Sequence, residues 1–284
     1  MMGSDAFVTV LAAAVIGGAV ARILLRLRLA APPVTLMRVN VSGRHVPAIL
    51  GSPMVFGAMC GMFFVVAVGS TGWEAGRIGS IGLAAGLLIV VMYVAGSIDD
   101  RRGDEPARGF GGHLGAARRG RLTGGVVKML VGAVSGVAAG ALVADGWRPV
   151  LEIAAIVALT ANLVNLLDRA PGRAGKVSLL LAIAPVLLAP DDWTVATAAL
   201  LGSLAAVLPS DLGEKAMLGD AGANPLGAVL GLGLALAMDE PARVATMVLL
   251  LALNAASERW SFSKVIESTP ALAAFDRLGR HPPE

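Results

Sequence analysis

Charge is scarce in this 284-residue sequence: Asp, Glu, Lys and Arg together make up 15% of it, against about a quarter in a soluble globular domain. So little charge beside so much apolar residue excludes a disordered chain and a soluble enzyme. Cysteine is nearly missing. The single Cys60 excludes an internal disulfide and any cysteine-based metal cluster, and it is expected to pack inside an apolar span. Aromatics, at 4%, are too few to mark the two membrane interfaces with a belt. The three histidines, His45, His113 and His281, lack metal-ligand spacing and read as loop residues. No phosphate loop, zinc ribbon or serine elbow is present.

Long apolar runs take the place of these features. Hydrophobic residues reach 56% and the mean hydropathy is +0.76. They fall in blocks such as Asp5 to Arg22, Ile78 to Ile98 and Arg243 to Ala256. In lipid the backbone must satisfy its own hydrogen bonds, and helices do so. The expected fold is therefore all-α: a polytopic membrane protein of about nine spans, at roughly 5–25, 46–70, 77–97, 124–144, 149–167, 176–190, 192–209, 223–239 and 241–257. The first span reads as a signal anchor. The 36 glycines suit close helix packing through small residues.

Basic residues orient this layout. All of the 23 lysines and arginines except Arg77, Arg148 and Arg243 fall on one side of it, which the positive-inside rule makes cytoplasmic. The N-terminus is then outside and the C-terminus inside, in the plasma (inner) membrane. Residues 1–256 read as one transmembrane catalytic domain and 257–284 as a cytoplasmic tail, partly helical. The net charge of +3 belongs to these basic loops, and no nucleic-acid partner is expected.

Polar residues at the cytoplasmic ends of the spans carry the chemical information, because a charge within a span costs about 2.5–3.5 kcal/mol on insertion scales. Asp99 and Asp100 end the third span. Adjacent carboxylates there suit Mg²⁺ or a base, and equally a solvated helix end followed by orienting arginines. Asn162, Asn165 and Asp168 recur in steps of three, which drift by about −60° on a helix and form a slanted polar stripe. The stripe suits ligand contact, or hydrogen bonding between helices. Asp220 lies between glycines in Met217-Leu-Gly-Asp-Ala-Gly-Ala-Asn-Pro-Leu-Gly227, where Gly219 and Gly222 permit close backbone approach. Asn224 and Pro225 read as an N-cap and first helical residue, directing free N–H groups at anionic oxygen. In the basic loop from Arg101 to Lys128, most cations serve orientation or lipid headgroups. Lys128, one turn into a span, also suits a phosphate.

In this order and on one side, the segments resemble the polyprenyl-phosphate N-acetylhexosamine-1-phosphate transferase superfamily, which includes phospho-N-acetylmuramoyl-pentapeptide transferase. The resemblance runs from about Val39 to Gly231. It is carried by Asp99-Asp100, Leu122-Thr-Gly-Gly-Val-Val-Lys128, the Asn162, Asn165 and Asp168 signature, Gly219 to Gly222, and the Pro-containing segment Arg44 to Gly51. It implies Mg²⁺, a UDP-sugar donor, a polyprenyl phosphate acceptor and a homodimer. By that resemblance Asp220 is the principal Mg²⁺ ligand, Asp99 or Asp100 positions the lipid phosphate or assists metal binding, and Asp168 with Asn162 and Asn165 holds the nucleotide sugar. Lys128 and Asn224 would contact substrate.

Departures accompany the likeness. Pro171 stands where the peptidoglycan enzyme has a second Asp. Ala221 and Ala223 replace hydroxyl residues, and a late His-rich loop is absent. Arg259 and Lys264 in the tail are expected to supply diphosphate contacts in its stead. Two rivals follow: a non-catalytic lipid-phosphate-binding relative, and a transporter. Polar residues crowded at one face, without inverted repeats, oppose the transporter.

Overall fold

The computed structural model describes residues 4–69, 79–102 and 124–281. Every apolar block is a helix: α1 (Ser4–Ala30), α2 (Gly51–Gly69), α3 (Ser80–Arg102), α4 (Gly124–Val143), α5 (Trp147–Leu167), α6 (Arg173–Leu188), α7 (Asp191–Leu212), α8 (Asp220–Leu236) and α9 (Glu240–Ser257). Two short helices, α10 (Phe262–Ser268) and α11 (Pro270–Arg277), follow. The fold is that of an all-α polytopic membrane protein. Among the described residues, α1, α2, α3, α5 and α7 are long and apolar enough to cross a bilayer. Helices α6 and α8, of 16 and 17 residues, are shorter than the ~20 residues a full span takes.

The short α8 is the centre of the bundle. Every residue from Ala221 to Ala235 is buried, and α2, α3, α5 and α6 pack around it. A helix apolar on all sides has no face for water and belongs in a core. Its glycines set the spacing. A Cβ on Gly227 would lie 2.6 Å from the Ala161 Cα, and one on Gly231 would lie 2.8 Å from the Val157 Cα. The backbones of α5 and α8 therefore touch. Lipid is as apolar as leucine, so close van der Waals contact of this kind is what holds membrane helices together. Helices α1, α2 and α7 form a second contact group beside this centre.

Three sequence expectations are corrected here. Cys60 lies on α2 but is exposed on its outer side, not packed inward. His45 is no loop residue; it opens a strand. The strands β1 (Met37–Val39) and β2 (His45–Pro47) form an antiparallel hairpin, so the second span starts at Gly51, about five residues after the apolar run begins. Pro47 and the extended backbone before it keep the helix from starting earlier.

Buried charge occurs at both ends of the bundle. At one end Glu152 of α5, nearly inaccessible, accepts from Arg243 Nε of α9 at 3.1 Å and pairs with Arg148 at 3.3 Å. At the other end Arg173 and Asp276 meet as a buried bidentate pair at 2.8 and 2.9 Å. Arg280 joins Asp276 and donates to the Pro171 carbonyl at 3.2 Å. Lys176 Nζ donates to the carbonyls of Phe275, Asp276 and Leu278, closing the end of α11. The basic residues at 173, 176 and 280 thus bind the tail to the bundle, beyond any part they have in orienting it.

Gly96 of α3 presses against the start of α8: an added Cβ would collide with the Asp220 carbonyl and lie 2.7 Å from the Ala221 nitrogen. Gly96→Ala is expected to destabilise the fold by about 1–3 kcal/mol, as overpacking does. Gly132→Ala, whose Cβ would find only the Met92 and Ala158 side chains at 3.8 and 4.0 Å, is expected to be neutral or slightly stabilising. Thermal unfolding midpoints in detergent compare the two.

Candidate active site

Helices α3, α5 and α7 end, and α8 begins, at one end of the bundle, and the hairpin lies across that end. Between them is a cavity of about 560 Å³. Its acids come from four helices: Asp99 and Asp100 from the last turn of α3, Asp168 from the end of α5, Asp211 from the end of α7 and Asp220 from the start of α8. Asn165, Arg169 and Glu214 line it too, with Arg38, Asn40 and His45 contributed by the hairpin.

Backbone hydrogen bonds explain how these acids meet. The first N–H groups of any helix lack partners within it. Here other helices supply them. Asp100 accepts from the Asp220 N–H at 3.0 Å and the Ala221 N–H at 2.9 Å, and Asp168 accepts from the Gly219 N–H at 2.9 Å. Gly219 has φ +69°, a conformation that favours glycine. A side chain there would also meet Asp100 Oδ2 at 2.9 Å. With its N–H groups capped in this way, α8 starts at Asp220. Asn224 is therefore not an N-cap. It is the fifth residue of the helix, buried, and its Nδ2 has no hydrogen-bond partner among the described residues.

The hairpin is tied to the same assembly. Arg38 donates to the carbonyls of Thr35, Met37 and Asp100. Glu214 accepts from Asn40 Nδ2 at 2.6 Å and Ser42 Oγ at 3.0 Å at the hairpin tip. A parallel bridge joins Ala48 to Met217, with Met217 donating to the Pro47 carbonyl at 3.0 Å.

The remaining sequence candidates divide. Asn165 and Asp168 reach the cavity, but Asn162 turns away and donates to Asn254 of α9 at 2.6 Å. The stripe drifts round the helix, so its first member serves helix packing. Arg259 and Lys264 are exposed and do not line the cavity. Lys128 belongs to α4, but its side chain lies outside the described residues, as does His113. Sequence reasoning missed Arg38, His45, Arg169 and Asp211. Only Asp211, an acid near the end of an apolar run, carried a signal that would have found it.

Burial pushes the Asp168 carboxyl up to about 6. The Gly219 hydrogen bond opposes this, the nearby Asp100 charge reinforces it, and Arg169 opposes it. A carboxyl raised in the folded state takes up its proton before the unfolded chain does. Its contribution is therefore fully present below the unfolded value of 3.8 and is lost as pH rises from there through about 6. The melting midpoint of the wild type is expected to gain on that of Asp168→Asn as pH is lowered from 7 to 5. A difference that shrinks over that range contradicts this.

A family model matches residues 82–239, more than half of the chain: glycosyl transferase family 4. The chain belongs to that family. Family 4 here comprises polyprenyl-phosphate sugar-1-phosphate transferases, so membership supports a glycosyl-phosphate transferase activity in general. The chain matches no curated protein closely enough to register as a relative. The match contains Asp99, Asp100, Asp168, Asp211 and Asp220, and excludes the hairpin and the tail.

Proposed function

We propose that the protein transfers a sugar-1-phosphate from a UDP-sugar, by resemblance a UDP-N-acetylhexosamine, to a polyprenyl phosphate at the cytoplasmic membrane face, for cell-envelope glycan synthesis. A lipid phosphate oxygen attacks the sugar-bearing phosphorus. The bond from that phosphorus to the bridging oxygen breaks, and UMP leaves with the electron pair. The nucleophile needs little deprotonation near neutral pH, so the chief barrier is bringing two polyanions together.

The observation that carries this reading is the gathering of Asp99, Asp168 and Asp220, far apart in the chain, around one cavity. The donor set suits Mg²⁺. All the acids offer hard oxygen ligands, with Asp220 the principal one by the family motif. Among the described residues no three His, Cys, Asp or Glu side chains form a preformed cage, and Mg²⁺ needs none when one or two carboxylates are completed by water and substrate phosphates. Bound there, the ion would offset the charge of the two phosphate groups. The protein's own groups do the positioning. Asp100 and Asp168 hold the Gly219–Ala221 turn, Asp99 faces the acceptor phosphate, Asn165 and Asp168 face the donor, and Arg169 supplies positive charge at the cavity wall. The acceptor's prenyl chain lies in lipid or between helices.

Purified protein with undecaprenyl phosphate, Mg²⁺ and radiolabelled UDP-N-acetylhexosamines is expected to release UMP and form a lipid-linked product. Chelation should stop it. Asp220→Asn should lower the rate by roughly 10²–10³-fold, the scale for losing a group that stabilises charge in the transition state. Binding of undecaprenyl phosphate without UMP release from any donor would instead support the non-catalytic relative.

A further inference from the structure

Asp211 is a buried acid of the cavity that the proposed reaction leaves unused. It is the penultimate residue of α7, 5% exposed, and lines the wall together with Asn165, Asp168 and Pro171. Asp168 lies close enough to act on it electrostatically, as do the more distant cations Arg280 and Lys176. Burying one carboxylate beside another is costly. Packing does not call for it, because the neighbouring α7 residues Leu208 and Leu212 already fill the space against Gly175 and Gly172. A second acid in this corner also repels phosphate. What its carboxyl oxygens offer a substrate is hydrogen bonding.

We infer that Asp211, together with Asn165, recognises hydroxyl and N–H groups on the uncharged part of the nucleotide-sugar donor, its nucleoside or its sugar, and so is a specificity-determining residue. The inference rests on the donor reading given above. It also accounts for Pro171: the carboxylate absent from that position returns to the same wall from another helix.

Asp211→Asn tests it, because the amide keeps the size and shape of the carboxyl and so spares the local fold. With UDP-N-acetylglucosamine and undecaprenyl phosphate, the variant is expected to raise the donor KM by roughly 10- to 100-fold, the scale of a lost hydrogen bond to a charged group. The acceptor KM should stay unchanged and kcat within about threefold, a split that loss of structure would not give. Ligand-induced thermal shifts supply the second readout. Stabilisation by UDP-N-acetylglucosamine should fall in the variant, while that by inorganic pyrophosphate stays as in the wild type. A matching loss with UMP assigns the contact to the nucleoside, and an unchanged UMP shift assigns it to the sugar; both support the inference. An unchanged donor KM and donor shift, or equal losses with pyrophosphate, would overturn it. If the wild type turns over no donor, the proposed reaction fails, and the thermal shifts alone decide Asp211: a donor shift lost in the variant supports it, and no donor shift in the wild type overturns it.

Discussion

Two carboxylates accept three consecutive backbone N–H groups, and the polar end of the bundle is organised by that. Asp168 takes the Gly219 N–H, and Asp100 takes those of Asp220 and Ala221. The acids come from helices α5 and α3, and the donors form the first turn of α8. A buried helix start must satisfy its N–H groups from somewhere. Supplying them from two neighbouring helices locks three elements in register and fixes where the Asp220 side chain begins. Gly51 and Gly96 make this possible, because a side chain at either would strike the backbone at Asp220 to Gly222.

The same bonds explain why so many acids share one cavity. Asp100 is engaged through both oxygens, Asp168 through one, and Glu214 by the hairpin tip. Their negative charge is thus partly spent on the scaffold, and the N–H groups they meet are the positive end of the α8 dipole. The polyanionic substrates of the proposed reaction then meet a wall whose charges are already distributed by the fold. Outside the family-matched segment, the hairpin and the docked tail close that wall from two sides. The tail reaches it through Arg280 at Pro171 and through the His281 N–H at the Leu212 carbonyl, 3.3 Å away.

Much of this was legible in the sequence. Among the described residues the apolar blocks are helices, because lipid leaves the backbone few alternatives. Asp99, Asp100, Asn165, Asp168 and Asp220 stood out because polar groups at span ends are costly and need a reason. What stayed hidden was set by contacts between distant segments. Asn162 looked equivalent to Asn165, but the drift of the helix and the presence of Asn254 turned it outward. Asn224 looked like a cap because nothing local showed that Asp100 and Asp168 cap the helix earlier. The hairpin was invisible as such: three-residue strands carry no periodic signal, and its place depends on Glu214 and Met217, some 170 residues away.

The central claim is that Asp100 and Asp168 act as one unit through the Gly219–Ala221 turn. A double-mutant cycle on UMP release, with Asp100→Ala, Asp168→Ala and both together, addresses it directly. If the two hold one turn, the double variant should lose little more than the worse single variant. Losses that multiply would show two independent groups and contradict the account.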